Sequence, residues 1–198
     1  MNKIILLLSA ALVFISCSKV GKDEYLITGT AKGIDNGKTI ILETQDVTGM
    51  MLAKDTVKVE NGKFEMKGNI TEPAFYTLQL EGAQAKIPFI LENAEVLIDI
   101  NKDSIQKSKV SGTYNNDEYF KFNEDLIKIT KRLADFQKDN TNAMNTAQQT
   151  NDTVVINKLM KEYSKIQEVV GAESKKKYIS YAETHSKSFI TALILQGM

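Results

Sequence analysis

The chain has 198 residues, with 25 lysines and arginines balanced by 25 aspartates and glutamates, and 42% of its residues are hydrophobic. Proteins that bind nucleic acid normally carry a clustered surplus of basic residues, so this balance argues against a nucleic-acid partner. The single cysteine and single histidine exclude a Cys-x-x-Cys pair within the chain and argue against a zinc or iron site, which needs several such ligands.

Residues 1–16 have the layout of a signal peptide. Lys3 supplies a positive charge, residues 4–15 are apolar apart from Ser9, and the small residue Ser16 precedes the only cysteine. This apolar run is shorter than the roughly 20 residues that a membrane-spanning helix needs. The sequence therefore predicts an export signal that is removed from the mature chain.

The segment Val13–Cys17 resembles the lipobox of bacterial lipoproteins, although Phe14 stands where that motif usually has leucine. The resemblance implies that Cys17 is lipidated and becomes the first residue of the mature chain, within a tether over residues 17–23. Ser18, rather than an aspartate, follows the cysteine, which favours the outer membrane over the inner membrane. The alternative is an ordinary secreted protein in which the cysteine is incidental.

Residues 24–113 are predicted to form an antiparallel β domain. Asn36-Gly37 and Asn61-Gly62 each lie between two apolar alternating runs, as in two-residue hairpin turns. The chain does not alternate strand and helix patterns, so a parallel sheet is not expected. About seven or eight short strands of this kind favour a β-sandwich or an open barrel.

The predicted strands cover residues 25–33, 38–45, 55–60, 63–68, 75–80, 86–91, 95–100 and 107–111. Pro88 indicates an edge strand or a bulge, because proline cannot donate to a central ladder. The residues expected in the interior are Ile27, Ile41, Val57, Phe64, Leu78, Phe89 and Ile98.

Residues 114–198 are predicted to be helical. Asn115 and Glu118 have the spacing of a capping box, and apolar residues then recur at three- and four-residue steps. A polar stretch over residues 138–150 is expected to separate two helices that pack as an antiparallel hairpin. A third, short helix is expected near Ser188. The two apolar stripes are Tyr119, Phe122, Leu126, Ile129, Leu133 and Phe136, and then Ile156, Leu159, Tyr163, Ile166 and Val170.

Together the two halves predict an α+β fold, with a β-sandwich or open barrel followed by a helical hairpin. The same apolar stripes could instead form a coiled coil between two chains. Each stripe breaks after about two or three heptads, where a coiled coil normally needs three or four. The hairpin within one chain is therefore favoured.

The residue patterns in the chain do not predict an enzyme. Gly29–Gly33 lacks the Gly-Lys-Ser/Thr ending of a phosphate-binding loop. Asp99, Asn101 and Asp103 match the first ligands of an EF-hand, but serine replaces the glycine required at the sixth position. His185 is expected in the turn between the last two helices. We therefore expect no catalytic residues, no cofactor and no metal.

Four stretches, residues 61–68, 73–78, 89–95 and 110–113, carry a resemblance to a known family. In order and spacing they are similar to the uncharacterised N-terminal β domain of thioredoxin-like, peroxiredoxin-type (thiol-specific antioxidant) envelope lipoproteins, over about residues 24–122. In that family a helical connector and a thioredoxin-like domain with Cys-x-x-Cys follow. The resemblance implies a connector over residues 115–196 and a chain that is either a short variant or a truncated reading frame, without the redox domain. The family's catalytic residues are therefore not carried over.

The expected function is that of a membrane-anchored envelope lipoprotein that is not an enzyme. The resemblance implies an anchoring and spacing module, held by lipid on Cys17 and partnered by a thioredoxin-like domain or another envelope protein. The main alternative is a freestanding lipoprotein that binds a small ligand or a glycan. A hydrolase with an unrecognised pair of acids ranks third. The expected location is the cell envelope, with the outer membrane favoured.

Overall fold

The computed structural model describes residues 20–46 and 48–196. The predicted signal peptide over residues 1–16, the lipidation site Cys17 and the first part of the tether lie outside the described residues. The structure therefore bears on the β domain, the helices and their junction.

The described chain folds as eight strands followed by three helices, which confirms the α+β fold. The strands are β1 Tyr25–Thr30, β2 Thr39–Gln45, β3 Met51–Lys58, β4 Lys63–Gly68, β5 Ala74–Leu80, β6 Lys86–Leu91, β7 Glu95–Asp99 and β8 Lys109–Ser111, with a short 3-10 helix Ile105–Lys107 before β8. The helices are α1 Tyr114–Gln149, α2 Thr153–Thr184 and α3 Phe189–Gln196. The strands form two four-stranded sheets with the orders β4-β1-β7-β8 and β3-β2-β5-β6.

One strand pair departs from the predicted antiparallel arrangement. β1 and β7 run parallel, with Ile27 opposite Val96, while the other paired strands are antiparallel. A parallel pair needs a long crossover connection, and here the whole second sheet and β4 supply it. The prediction was wrong at this pair because a crossover made of strands has no helical signature in the sequence.

The Asn61-Gly62 turn has the predicted geometry. Both residues have positive φ, at 52° and 69°, and the backbones of Glu60 and Lys63 exchange hydrogen bonds of 2.9 and 3.0 Å. These are the features of a type I′ hairpin turn. The hairpin stops after this single bridge, however, because β3 and β4 continue into different sheets.

The hairpin predicted at Asn36-Gly37 was wrong, since β1 and β2 lie in different sheets. Gly37 has a φ of 87°, but this turn carries the chain from one sheet to the other. The Asn36 Oδ1 atom accepts a hydrogen bond from the Asn61 backbone N–H at 2.7 Å. The two Asn-Gly turns therefore meet at the same corner of the sandwich.

The core lies between the two sheets and contains most of the predicted interior residues, namely Ile27, Phe64, Leu78, Phe89 and Ile98. In β2 the prediction was wrong, because Ile40 and Leu42 are buried there and Ile41 is only half-buried. Three consecutive apolar residues leave the phase of the strand undetermined. Val57 is also half-buried, on the edge strand β3. Pro88 lies on the edge strand β6, as predicted.

The first helix begins differently from the prediction. Its N-cap is Thr113, whose side-chain oxygen accepts a hydrogen bond of 3.3 Å from the backbone N–H of Asn116. Asn115 instead donates to a Glu92 carboxylate oxygen at 2.9 Å. The predicted capping box of Asn115 and Glu118 was therefore wrong, since the true cap lies two residues earlier.

The first helix also continues to Gln149, through nearly all of the 138–150 stretch where a break was predicted. That stretch is polar but contains neither glycine nor proline, so nothing interrupts the backbone hydrogen bonds. The turn follows at Asn151, with a φ of 54°. Asp152 then caps α2 by accepting hydrogen bonds from the backbone N–H groups of Val154 and Val155.

The two long helices form the predicted antiparallel hairpin. The rings of Phe136 and Tyr163 lie 6.1 Å apart across the seam, and Arg132 forms an ion pair with Glu173. The apolar stripes of the two helices thus face each other within one chain. At 1.5 Å per residue, the 36 residues of α1 span roughly 54 Å. The third helix begins at Phe189, as expected.

Candidate functional site

The hairpin is attached to the β domain by the side chain of Asn116, which is fully buried. Its Oδ1 atom accepts a hydrogen bond from the Ile90 N–H at 2.9 Å, and its Nδ2 group donates to the Ile90 carbonyl at 2.8 Å. Because Ile90 belongs to the edge strand β6, the amide takes the place of a further strand at this edge. One side chain therefore both pairs with the edge-strand backbone at Ile90 and positions α1.

An apolar junction surrounds this amide. The ring of Phe122 meets the rings of Tyr178 and Tyr181 edge to face, at centroid distances of 5.3 and 5.0 Å. The buried members of this cluster are Ile90, Phe122, Tyr181, Ile190 and Ile194. They come from β6 and from all three helices, so the base of the hairpin and α3 pack together on the outer face of the second sheet.

A polar cleft of about 250 Å³ lies beside the junction, and it contains His185. His185 lies in the turn between α2 and α3, as predicted. Its ring stacks on that of Tyr181, with centroids 4.2 Å apart, and its Nε2 atom is 3.9 Å from a Glu118 carboxylate oxygen. The cleft thus brings an imidazole, a phenol and a carboxylate together.

The ionisable groups of this cleft have shifted pKa values with structural causes. Burial, assisted by the nearby Glu118 carboxylate, raises the pKa of Tyr181 to about 12. Hydrogen bonds from Lys177 and Lys128 lower the pKa of Asp125. Tyr181 is therefore protonated at neutral pH, and Asp125 is an ionised partner for the two lysines, so the cleft has the charge pattern of a structural network.

The opposite side of the hairpin has a different character. An open groove of about 480 Å³ runs between α1 and α2 in their outer halves, and the residues that line it carry no charge. Its apolar floor includes Phe136, Met144 and Leu159. The Gln137 amide donates a hydrogen bond to the Tyr163 hydroxyl across it at 3.3 Å. We call this feature the neutral groove.

A third depression lies between the outer face of the second sheet and α3. Its volume is about 400 Å³, and its apolar lining includes Pro73, Phe75, Phe189 and Leu193. Glu43 at its rim forms an ion pair of 2.5 Å with Lys86. The depression is large enough for part of a small ligand.

The glycine-rich segment of β1 has a packing role. Gly29 pairs with Phe64 on β4, and the Phe64 ring occupies the space that a side chain at Gly29 would fill. The close approach of an aromatic ring to a strand glycine explains why glycine stands there. This agrees with the interpretation of the segment as part of a strand.

The EF-hand-like residues form a turn. The Asn101 Oδ1 atom accepts hydrogen bonds from the backbone N–H groups of Asp103 and Ser104 at 3.1 and 2.9 Å. This is an Asx turn at the end of β7. Within the described residues, no three His, Cys, Asp or Glu side chains come together as a metal-binding group.

Sequence reasoning missed the part played by Asn116. In the sequence, Asn115-Asn116 has the appearance of a helix start, and a cap was assigned to the first asparagine. Local spacing carries no information on which strand edge a side chain will meet. The only signal was an amide close to a boundary between elements, and such an amide normally caps a helix or forms a turn.

Residues 25–119 match the family model described as Domain of unknown function (DUF4369). The match covers just under half of the chain, from β1 to the first turns of α1. It supports the predicted uncharacterised domain over residues 24–122, and it names no function. Neither the comparison with curated proteins nor that with solved structures gives a match. Among the helices of the described segments, none combines the length and apolar character needed to cross a bilayer.

Proposed function

We propose that the chain is a membrane-anchored envelope lipoprotein with a non-catalytic anchoring and spacing role. In this proposal Cys17 carries the lipid, the β domain stays near the membrane, and the hairpin presents a surface at a fixed distance from it. The observation that carries the proposal is the attachment of a long two-helix arm to the β-sandwich.

The attachment makes the arm a defined spacer. The first three turns of α1 are held by the amide of Asn116 and by the packing of Phe122. Beyond Ile129 the described side-chain contacts of α1 are within the helix or with α2. A helix pair of roughly 50 Å fixed at one end can hold a partner away from the domain that carries it.

The position of Cys17 supports a short tether. Six residues, over positions 18–23, separate Cys17 from the start of the β domain, and they span roughly 20 Å when extended. A lipid with two or more acyl chains would hold the protein stably on a bilayer. An outer-membrane location is proposed because Ser18 follows the cysteine.

The proposed partner is a thioredoxin-like domain or another envelope protein. This part of the proposal is supported by the resemblance of the β domain to that of thioredoxin-like lipoproteins, and by the position of the helices where those proteins have a connector. The chain itself would contribute no thiol chemistry, because its single cysteine would be committed to lipid.

The decisive test is the mass of the mature N-terminus after expression in a Gram-negative host. We expect a chain that begins at Cys17 and carries acyl groups, sediments with membranes and has no thiol reactive to maleimide. Cys17→Ala should release the protein from membranes, whereas Ser18→Ala should not. An unmodified and reactive Cys17 in the mature protein would overturn the proposal.

The alternative of a freestanding binding lipoprotein is favoured by the depression between the second sheet and α3. Its largely apolar lining, with Glu43 paired to Lys86 at the rim, suits a small uncharged ligand or glycan. Thermal-shift measurements with neutral oligosaccharides should then give a stabilisation. Leu193→Glu in the depression should abolish it, and Leu195→Glu, at a more exposed position of the same helix, should not.

A further inference from the structure

One face of the hairpin carries no charged side chains along almost its whole length. On α1, the helical positions that continue the neutral groove at three- and four-residue steps are Ile127, Thr130, Ala134, Gln137, Thr141 and Asn145. All six are exposed, and Ile127 is 64% exposed. In a chain where 25% of residues are charged, this uncharged row is a distinct surface.

The second helix contributes a matching row. At the same spacing on α2 lie Met160, Ser164, Gln167, Gly171 and Ser174. Most are small, and the space beside Gly171 is open. Met160 is 59% exposed at the edge of the groove. Small residues allow another helix to approach closely, and an exposed methionine offers it an apolar contact.

The opposite face of the same two helices is charged. Arg132 pairs there with Glu173, and Asp125 pairs with Lys177 at 2.6 Å. On the uncharged face the helices are joined by the neutral hydrogen bond of Gln137 to Tyr163. The hairpin therefore has one charged face that is typical of a solvent-exposed helix and one face that lacks such charges.

The uncharged face also leaves the seam incompletely covered. Phe136, Met144 and Tyr163 belong to the seam, yet each stays partly exposed in the neutral groove. In a pair of helices the apolar seam between them stays open to solvent along its sides, whereas in a four-helix bundle the seam is enclosed. A second pair of helices laid on this face would complete a bundle.

We propose that the neutral face binds the same face of a second copy of this chain, so that two hairpins form a four-helix bundle. In a two-fold interface, residues near the axis face their own copies, so charges there would meet like charges. A face with no charge avoids that repulsion. Such a face also has no charged side chains that could select an oppositely charged partner. Both helices contribute a similar row of uncharged residues to it.

This inference goes beyond the proposed function and does not depend on lipid at Cys17. The test is sedimentation equilibrium of the full chain in a density-matched detergent, which reports the mass of the protein with or without an anchor. The wild-type chain should be in a monomer–dimer equilibrium. Because no ion pairs hold the proposed contact, high salt should change the dissociation constant by less than about threefold.

Two matched variants locate the contact. Thr141→Lys places a charge on the neutral face, and Thr146→Lys places the same charge roughly 140° away around α1. Thr141→Lys should raise the dimer dissociation constant at least about tenfold. Thr146→Lys should change it by no more than about twofold, as for an ordinary surface substitution. Circular dichroism should show the same helix content in both variants.

Three results would overturn the proposal. A wild-type chain that stays monomeric at the highest attainable concentration would leave the face to a different partner. A dimer that high salt dissociates would place the contact on the charged face. Equal weakening by the two lysine variants would show that the neutral face has no special part in the association.

Discussion

The β domain and the helical hairpin bury their apolar residues to different extents. Between the two sheets, Ile27, Ile40 and Phe89 have no exposed surface. In the hairpin, the buried apolar residues are Phe122, Ala147, Leu159, Val170 and Tyr181, and the rest of the seam is half-exposed. An enclosed core is stabilised by its own packing, whereas the two-helix arm depends more on its attachment to the β domain.

The largest expected effect is the difference in stability loss when a phenylalanine in each region is replaced by alanine. Phe89→Ala removes a fully buried ring and should lower the free energy of unfolding by about 4 kcal/mol. Phe136→Ala removes a partly exposed ring in the neutral groove and should cost about 1–2 kcal/mol. Urea unfolding of the two variants measures the difference. Equal losses would contradict the contrast between the regions.

The junction between the regions is the next most sensitive point. Asn116→Ala leaves the buried N–H and carbonyl of Ile90 without partners and should cost about 3 kcal/mol. Asn115→Ala removes a hydrogen bond to Glu92 that is only partly buried, so it should cost about 0.5–1 kcal/mol. Urea unfolding, together with hydrogen exchange at Ile90, measures both. If Asn116→Ala lowers the free energy of unfolding only slightly and the Ile90 amide stays protected from exchange, another group must pair with this edge-strand backbone.

Replacement of two glycines by alanine should change the free energy of unfolding in opposite directions. Gly29→Ala forces a methyl group against the Phe64 ring and should cost about 2 kcal/mol. Gly171→Ala lies in open space on α2 and should stabilise the helix by about 0.5–1 kcal/mol. Thermal unfolding gives both signs. A neutral Gly29 variant would mean that the ring can move aside.

The smallest expected effect concerns pH and Tyr181. Its pKa is raised from 10.0 to about 12 in the folded chain, so the unfolded chain loses this proton first. The stability that Tyr181 contributes is therefore complete below pH 10 and declines as the pH rises towards 12. At pH 11 the loss should be on the order of 1 kcal/mol, because solvent near the ring screens part of the effect.

The control for this prediction is Tyr181→Phe. Within the described residues the Tyr181 hydroxyl is buried without a hydrogen bond, although the nearby Ser188 side chain offsets part of the rise in its pKa. The variant should match the wild type at pH 7 and lose less stability between pH 10 and 12. Urea unfolding at several pH values measures this, and identical pH profiles would refute the assignment.

Local chemistry in the sequence was sufficient for much of this structure. The alternation in β4 and β5, the turn at Asn61-Gly62 and the apolar stripes of both long helices follow from the side chains of neighbouring residues, since periods of 2 and 3.6 bring such residues onto one face. The fold class and the seam of the hairpin were predictable for this reason. The arrangement around Cys17 lies outside the described residues and stays a prediction.

Contacts between segments that are distant along the chain determined the rest of the structure. Local spacing does not state which strand becomes the neighbour of β1, whether Ile41 or Ile40 points inward, or that the amide of Asn116 meets the backbone of Ile90. Each of these depends on contacts between segments that are distant along the chain, and the folded state selects the arrangement that buries the most apolar surface while pairing its backbone groups. The neutral face also became visible only when both helices were placed side by side.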